Sequence, residues 1–232
     1  MKNAYLRSSM VAMSAMFLFA CKKDMSRHER AEFGSLTSSS KSFSVTSSCG
    51  QLRTQTQGGW GSTPSGNNPG TYLHDHFREV FGESLTVGCP SSNYITLTSA
   101  QAVTDLLPTG GKAAALTAGI TDPVSSNNVL VGQLVALKLS VRFDEYDADF
   151  GQSSVALGDM TIASGPFKGV SVYDFLDIAE RVLGGCETGF TPQQVNETAS
   201  SINQNFVDGK ANNGYLLCPG DDGGGGEDPL PA

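Results

Sequence analysis

The sequence predicts an α+β domain, mostly α, with amphipathic helices around one core, a small antiparallel β element and two disulfides. Three observations lead there. Apolar residues recur with a period of 3.6 inside segments that carry their own capping signals. Short runs rich in β-branched residues end at glycine, which suits strands. Apart from Cys21 there are four cysteines, Cys49, Cys89, Cys186 and Cys218, with no C-x-x-C pair among them, which reads as two bridges and not as a metal site.

The chain opens on a delivery signal. Lys2 and Arg7 make a positive start, and residues 10–19 form an apolar run of about ten residues, too short for a bilayer that demands about 20. Leu18-Phe19-Ala20-Cys21 resembles a bacterial lipobox, so residues 1–20 are expected to be removed as a signal peptide and Cys21 to carry lipid on its thiol. Residues 21–48 form a Ser/Thr-rich tether without apolar period, and a random coil of ~27 residues reaches on the order of 30 Å. Residues 49–218 make one domain, large enough at about 170 residues for a real core. Residues 219–232 are an acidic, glycine-rich tail that cannot bury one.

Within the domain the elements follow in order. Residues 71–81 place Leu73, Phe77, Val80 and Phe81 on one helical face and stop at Gly82. Residues 85–88 and 94–97 are strand candidates. Residues 98–107 carry Thr98 and Gln101 as a capping box, Val103, Leu106 and Leu107 as apolar face, and Pro108 as stop. Residues 127–142 set Val129, Leu130, Gln133, Leu134, Leu137 and Val141 on one stripe, with Gln133 its polar member. Residues 157–163 are a third strand candidate. Ser171 then caps a helix with Asp174 at its positive end and Val170 stapled against Phe175, and the run closes at Gly184-Gly185. A final helix starts with Thr191 as cap, Pro192 in the first turn and Gln194 completing the box, its apolar face being Val195, Ala199, Ile202 and Phe206. These last two form a helical hairpin.

Four cysteines allow three pairings. Cys49 and Cys218 bracket the periodic region, and domain termini tend to lie close together, so Cys49–Cys218 with Cys89–Cys186 is the pairing expected. The sequential pattern, Cys49 with Cys89 and Cys186 with Cys218, is its rival.

Charge excludes one class of partner. The net charge is −8, and loss of Lys2 and Arg7 with the signal lowers it to −10, with no basic stripe of the kind nucleic-acid binding needs. Charged residues are 16% against a typical ~25%, which leaves a neutral, hydroxyl-rich surface.

Five segments carry a resemblance: Thr56-Gln57-Gly58-Gly59-Trp60-Gly61-Ser62, Gly66-Asn67-Asn68-Pro69-Gly70, Leu97-Thr98-Ser99-Ala100-Gln101-Ala102, Asn128 through Ala136, and Asn205-Phe206-Val207-Asp208-Gly209. Over residues 54–218 the chain resembles an uncharacterised domain of secreted and surface proteins of Bacteroidota. Lys22-Lys23-Asp24 after Cys21 is similar to the start of lipoproteins from that phylum, many of which reach the outer face of the outer membrane. The resemblance implies an address and domain bounds. It implies no catalytic residues.

Three features are candidates for chemistry. His74-Asp75-His76 is the first, yet on a helix residues two apart point about 200° apart and cannot share a metal. The second is Phe143 through Gly151, read as a glycine-ended loop whose Asp144, Asp147 and Asp149 could ligate calcium through their carboxylates, although its spacing matches no EF-hand. Third, Trp60 between glycines could stack on a glycan or plug the core edge. The chain has no G-x-S-x-G and no H-E-x-x-H. The reading is therefore a cell-surface, outer-membrane lipoprotein, held in the bilayer by Cys21, whose domain binds an extracellular protein or glycan without catalysis and without an obligatory cofactor. The rivals are a secreted hydrolase that uses His74, His76 and residues 144–149, and a structural subunit of a surface assembly.

Overall fold

In the computed structural model the described residues are 49–186 and 189–221. The signal run, Cys21, the whole tether and the tail from 222 onward lie outside them. Among the described residues seven helices and two small sheets make an α+β fold. Helix α1 is Gln57–Trp60, α2 Pro69–Phe81, α3 Ala100–Leu106, α4 Val129–Tyr146, α5 Ala148–Gly151, α6 Val172–Gly184 and α7 Pro192–Asn203. The strands are β1 Leu85–Gly88, β2 Tyr94–Leu97, β3 Ile120–Thr121, β4 Thr161–Ile162 and β5 Leu216–Leu217.

Helix α4 is the centre of the molecule, with α1, α6, α7 and β1 packed about it. Its expected stripe is only part of what it buries: Val131, Val135, Ala136, Leu139 and Phe143 are buried too. The single-stripe expectation fails because the intervening positions are themselves apolar, so the helix can be covered all round. Gln133 keeps a polar partner there, since Asn203 Nδ2 of α7 donates to its side-chain oxygen at 2.8 Å and to its carbonyl at 3.0 Å. Among the described residues no helix is long and apolar enough to cross a membrane.

Capping places the helix starts, with shifts of one or two residues. Asn68 caps α2 by accepting from Thr71 N, with Pro69 at the first position, so the helix begins before residue 71. Ser99, not Thr98, caps α3, accepting from Ala102 N at 3.1 Å. Thr98 instead gives its N–H and Oγ to the Asp122 carboxylate at 2.7 and 2.6 Å, and Gln101 bonds Asp105, so the expected capping box is not formed. Ser171 caps α6, and the Thr191–Gln194 box opens α7 as read from the sequence.

Strands β1 and β2 form an antiparallel hairpin in the register Leu85 to Leu97 and Gly88 to Tyr94. The two-residue β3 adds to β2 in parallel, so this sheet is mixed, while β4 and β5 pair antiparallel. The candidate strand over 157–163 splits: Leu157–Asp159 is a 3-10 turn and only Thr161–Ile162 is strand.

The disulfides are Cys49–Cys218 and Cys89–Cys186, the nested pairing. Near the first bridge the two ends of the domain also pair through their backbones, Thr54 N donating to Phe206 O at 3.0 Å and Asp208 N to Thr54 O at 3.2 Å. The second bridge fastens the β1–β2 turn to the end of α6. Gly184 makes that approach possible, because a Cβ there would lie 2.2 Å from Cys89 N. Gly185 then takes φ +74°, the left-handed helix stop that glycine adopts without strain.

Candidate functional site

Trp60 belongs to the core. Its exposure is 0%, its Nε1 donates to Ser140 Oγ at 3.2 Å, and its ring lies 5.2 Å from Phe143 and 6.1 Å from Phe150 between centroids. Glycan stacking is closed to a ring with no exposed face, so that expectation for Trp60 is withdrawn. The glycines around it sit where the chain passes close to other segments, Gly59 against Gln55 and Gly61 against Leu107.

The acidic segment is not one loop. Asp144 and Glu145 belong to the last turn of α4, and Asp147 joins α4 to α5, accepting from Asp149 N at 2.9 Å. The apolar period continues through Phe143, which carries the helix past the predicted end at residue 142. Asp144 turns inward and accepts from Leu157 N at 2.6 Å, whereas Asp147 accepts from the Tyr72 hydroxyl at 2.7 Å. Asp149 faces a cleft beside Arg53. The three carboxylates are thus directed to three different places, and among the described residues no group of three His, Cys, Asp or Glu side chains could hold a metal ion.

Burial pushes the Asp144 carboxyl above its ordinary range, against the lowering effect of the Leu157 N–H. The folded state therefore holds this proton more tightly than the unfolded chain does. The associated stability is fully present below the unfolded carboxylate value of about 3.9 and is lost as pH rises through the raised folded value. Asp144→Asn, whose amide oxygen can still accept from Leu157 N, is expected to leave the melting temperature nearly unchanged at pH 3 and raise it by roughly 2–4 °C at pH 7, about 1 kcal/mol for a domain of this size. Thermal melts at the two pH values check this, and an equal shift at both would sink it.

The two histidines also part company. On α2, His74 Nε2 lies 3.0 Å from Thr104 Oγ1, whose own proton goes to Ala100 O at 3.1 Å. His74 must then be the donor through Nε2, which leaves Nδ1 as its second nitrogen. His76 Nδ1 lies 3.4 Å from Glu79 Oε2, which also accepts from Tyr146 OH at 2.6 Å. Those bonds, Tyr146 first, hold Glu79 below its usual range. The imidazoles bond Thr104 and Glu79, not Asp144, Asp147 or Asp149, so the constellation a hydrolase would need is not assembled.

Helix α2 is instead a wall shared by two clefts. On one side His74, Phe77 and Arg78 face Thr98, Ser99 and Ala100 across a cavity of about 450 Å³ that Gly82 and Glu83 close at one end. Asp122 fixes the far wall by its bonds to Thr98. Arg78 and Glu83 are exposed and, among the described residues, join no ion pair. On the other side Asn67, Asn68, Thr71, Tyr72 and Asp75 face Arg53 across about 250 Å³. The first cavity was missed in the sequence because its walls are the end of one helix and the approach to another, 20 residues apart, joined only by the β1–β2 hairpin.

Such an arrangement offers hydrogen-bond donors and acceptors of both charges around a small apolar floor, which is the chemistry of binding. Compared with protein-family models, curated proteins and solved structures, the chain matches none.

Proposed function

We propose that the chain is a lipid-anchored module of the outer membrane, exposed at the cell surface, whose disulfide-closed domain binds an extracellular ligand and catalyses no reaction. The observation that carries the binding half is the polar cleft along α2, where Arg78 and Glu83 face solvent without an ion-pair partner among the described residues. Charged side chains left open in a concavity are ready to recognise a partner at little cost in rearrangement. The address rests on Leu18-Phe19-Ala20-Cys21, read as a lipobox, together with the resemblance drawn from the five sequence segments above. Two disulfides accord with an oxidising compartment.

Cys21→Ser is expected to move the protein out of the membrane fraction into soluble or unprocessed forms, because lipid attachment needs the thiol. An unchanged membrane fraction refutes the anchor. Pull-down from native membranes tests the binding half: a stable ligand lost on Arg78→Ala or Glu83→Ala supports it, and capture that is indifferent to both substitutions removes this cleft from the reading.

A further inference from the structure

Among the described residues Arg53 combines a half-buried side chain with a buried, unpartnered Nε. It lies in the extended segment between Cys49 and α1, and its guanidinium carbon sits 5.0 Å from the centroid of the Phe150 ring. The cation–π contact holds the group in place. Its Nε is buried and has no hydrogen-bond partner, and none of the ion pairs among the described residues includes it. A guanidinium is always charged and carries five N–H donors: the buried Nε–H goes unmet at a cost in free energy, and no oxygen among the described residues takes the other four, which leaves them open to an oxygen ligand.

The group stands between two open clefts. One, of about 180 Å³, is walled by Asp149 and Gln152, and the other, of about 250 Å³, by Asn67, Thr71 and Asp75. The side chains of Asn67, Asp75, Asp149 and Gln152 are exposed and make no hydrogen bond within the described residues. The walls thus present amide donors and acceptors and carboxylate acceptors, and the main apolar surface, Phe150, lies under the guanidinium.

We propose that Arg53 anchors a saccharide groove, taking the carboxylate of an acidic sugar while Asn67, Asp75, Asp149 and Gln152 take its hydroxyls and those of a neighbouring ring. The planar fork of arginine matches a carboxylate through two parallel bonds. Vicinal hydroxyls donate and accept together, which is what amide and carboxylate side chains meet. Each cleft is below the ~300 Å³ of a drug-sized pocket and suits a single ring. A polyanion with more than one charge per ring is disfavoured, since the chain carries a net −8 and Asp75 and Asp149 flank the arginine. The groove is a second site, distinct from the Arg78–Glu83 cleft across α2, and goes beyond the binding reading given for that cleft.

The experiment follows the Arg53 Nε–H resonance of the full chain, labelled with nitrogen-15 arginine, during titration with oligogalacturonate, its neutral galactose counterpart, a sulfated galactose oligomer and sodium sulfate. Oligogalacturonate is expected to shift that resonance and the neutral oligomer to bind at least tenfold more weakly, a charge-assisted pair being worth about 1.5–3 kcal/mol. Arg53→Lys should weaken oligogalacturonate binding by tenfold or more. Asn67→Ala, at an exposed position, should weaken it severalfold while the melting temperature stays unchanged. Binding of only the sulfated oligomer or of free sulfate overturns the carboxylate assignment. Equal binding of neutral and acidic oligomers, or no shift with any probe, overturns the groove. A silent titration leaves the membrane fractionation of Cys21→Ser untouched, so anchor and groove fail separately.

Discussion

Replacing Cys49 and Cys218 together by alanine is expected to lower the free energy of unfolding by about 5 kcal/mol, the chain-entropy value for a loop spanning 169 residues. The effect acts on the unfolded chain, which the bridge prevents from exploring its most extended states. Domains of ordinary stability hold about 5–15 kcal/mol, so the variant would stand near its unfolding threshold. The Cys89–Cys186 bridge closes 97 residues, and its removal should cost about the same, because loop entropy grows only with the logarithm of length. Denaturant titration of each variant measures the loss. A fall of less than about 1 kcal/mol for the outer bridge would mean that the reduced unfolded chain stays compact, with the pairing of Thr54 to Phe206 and Asp208 persisting in it.

The second large effect is at Trp60. Trp60→Ala should cost about 3–5 kcal/mol, since it removes a fully buried indole from among Phe143 and Phe150 and leaves a cavity that α4 cannot collapse to fill. Trp60→Phe should cost about 1–2 kcal/mol. It retains most of the buried area and loses one hydrogen bond, and Ser140 Oγ keeps its bonds to Ala136 O and from Gln55 N. Circular-dichroism melts compare the two, with roughly 2–4 °C expected per kcal/mol. If alanine and phenylalanine behaved alike, the indole would not be the keystone its surroundings indicate. As the chain has one tryptophan, its emission in the native protein should be that of a dry site and shift to longer wavelength on unfolding.

Helix positions were legible because their causes are local. Ser171, Thr191 and Pro192 act within a turn of themselves, and the glycines at 184 and 185 stop a helix whatever lies beyond. Thr98 shows where such reasoning runs out. Its hydroxyl had a plausible local use as a cap, but Asp122, 24 residues on, offered a charged acceptor and took it, and Ser99 became the cap. The end of α4 differs for a related reason: four carboxylates after Phe143 suggest a solvated turn, but Asp144 turns inward to accept from Leu157 N and the last helical turn closes against the core.

The sequence by itself determined the fold class, the caps of α6 and α7 and the set of cysteines available for bridging, since periodicity, capping chemistry and residue count act over short distances. The tertiary structure alone decided that α4 buries residues well beyond its apolar stripe, that Trp60 faces inward, that β3 adds in parallel to β2, and that Gly184 admits Cys89. It also decided where charge is left open. Arg53, Arg78 and Glu83 look like any surface residues in the chain, and they become candidates only because the elements that fold around them supply walls without supplying partners. Walls come from residues far apart in sequence, and no local rule records which side chain a distant element will leave unpaired.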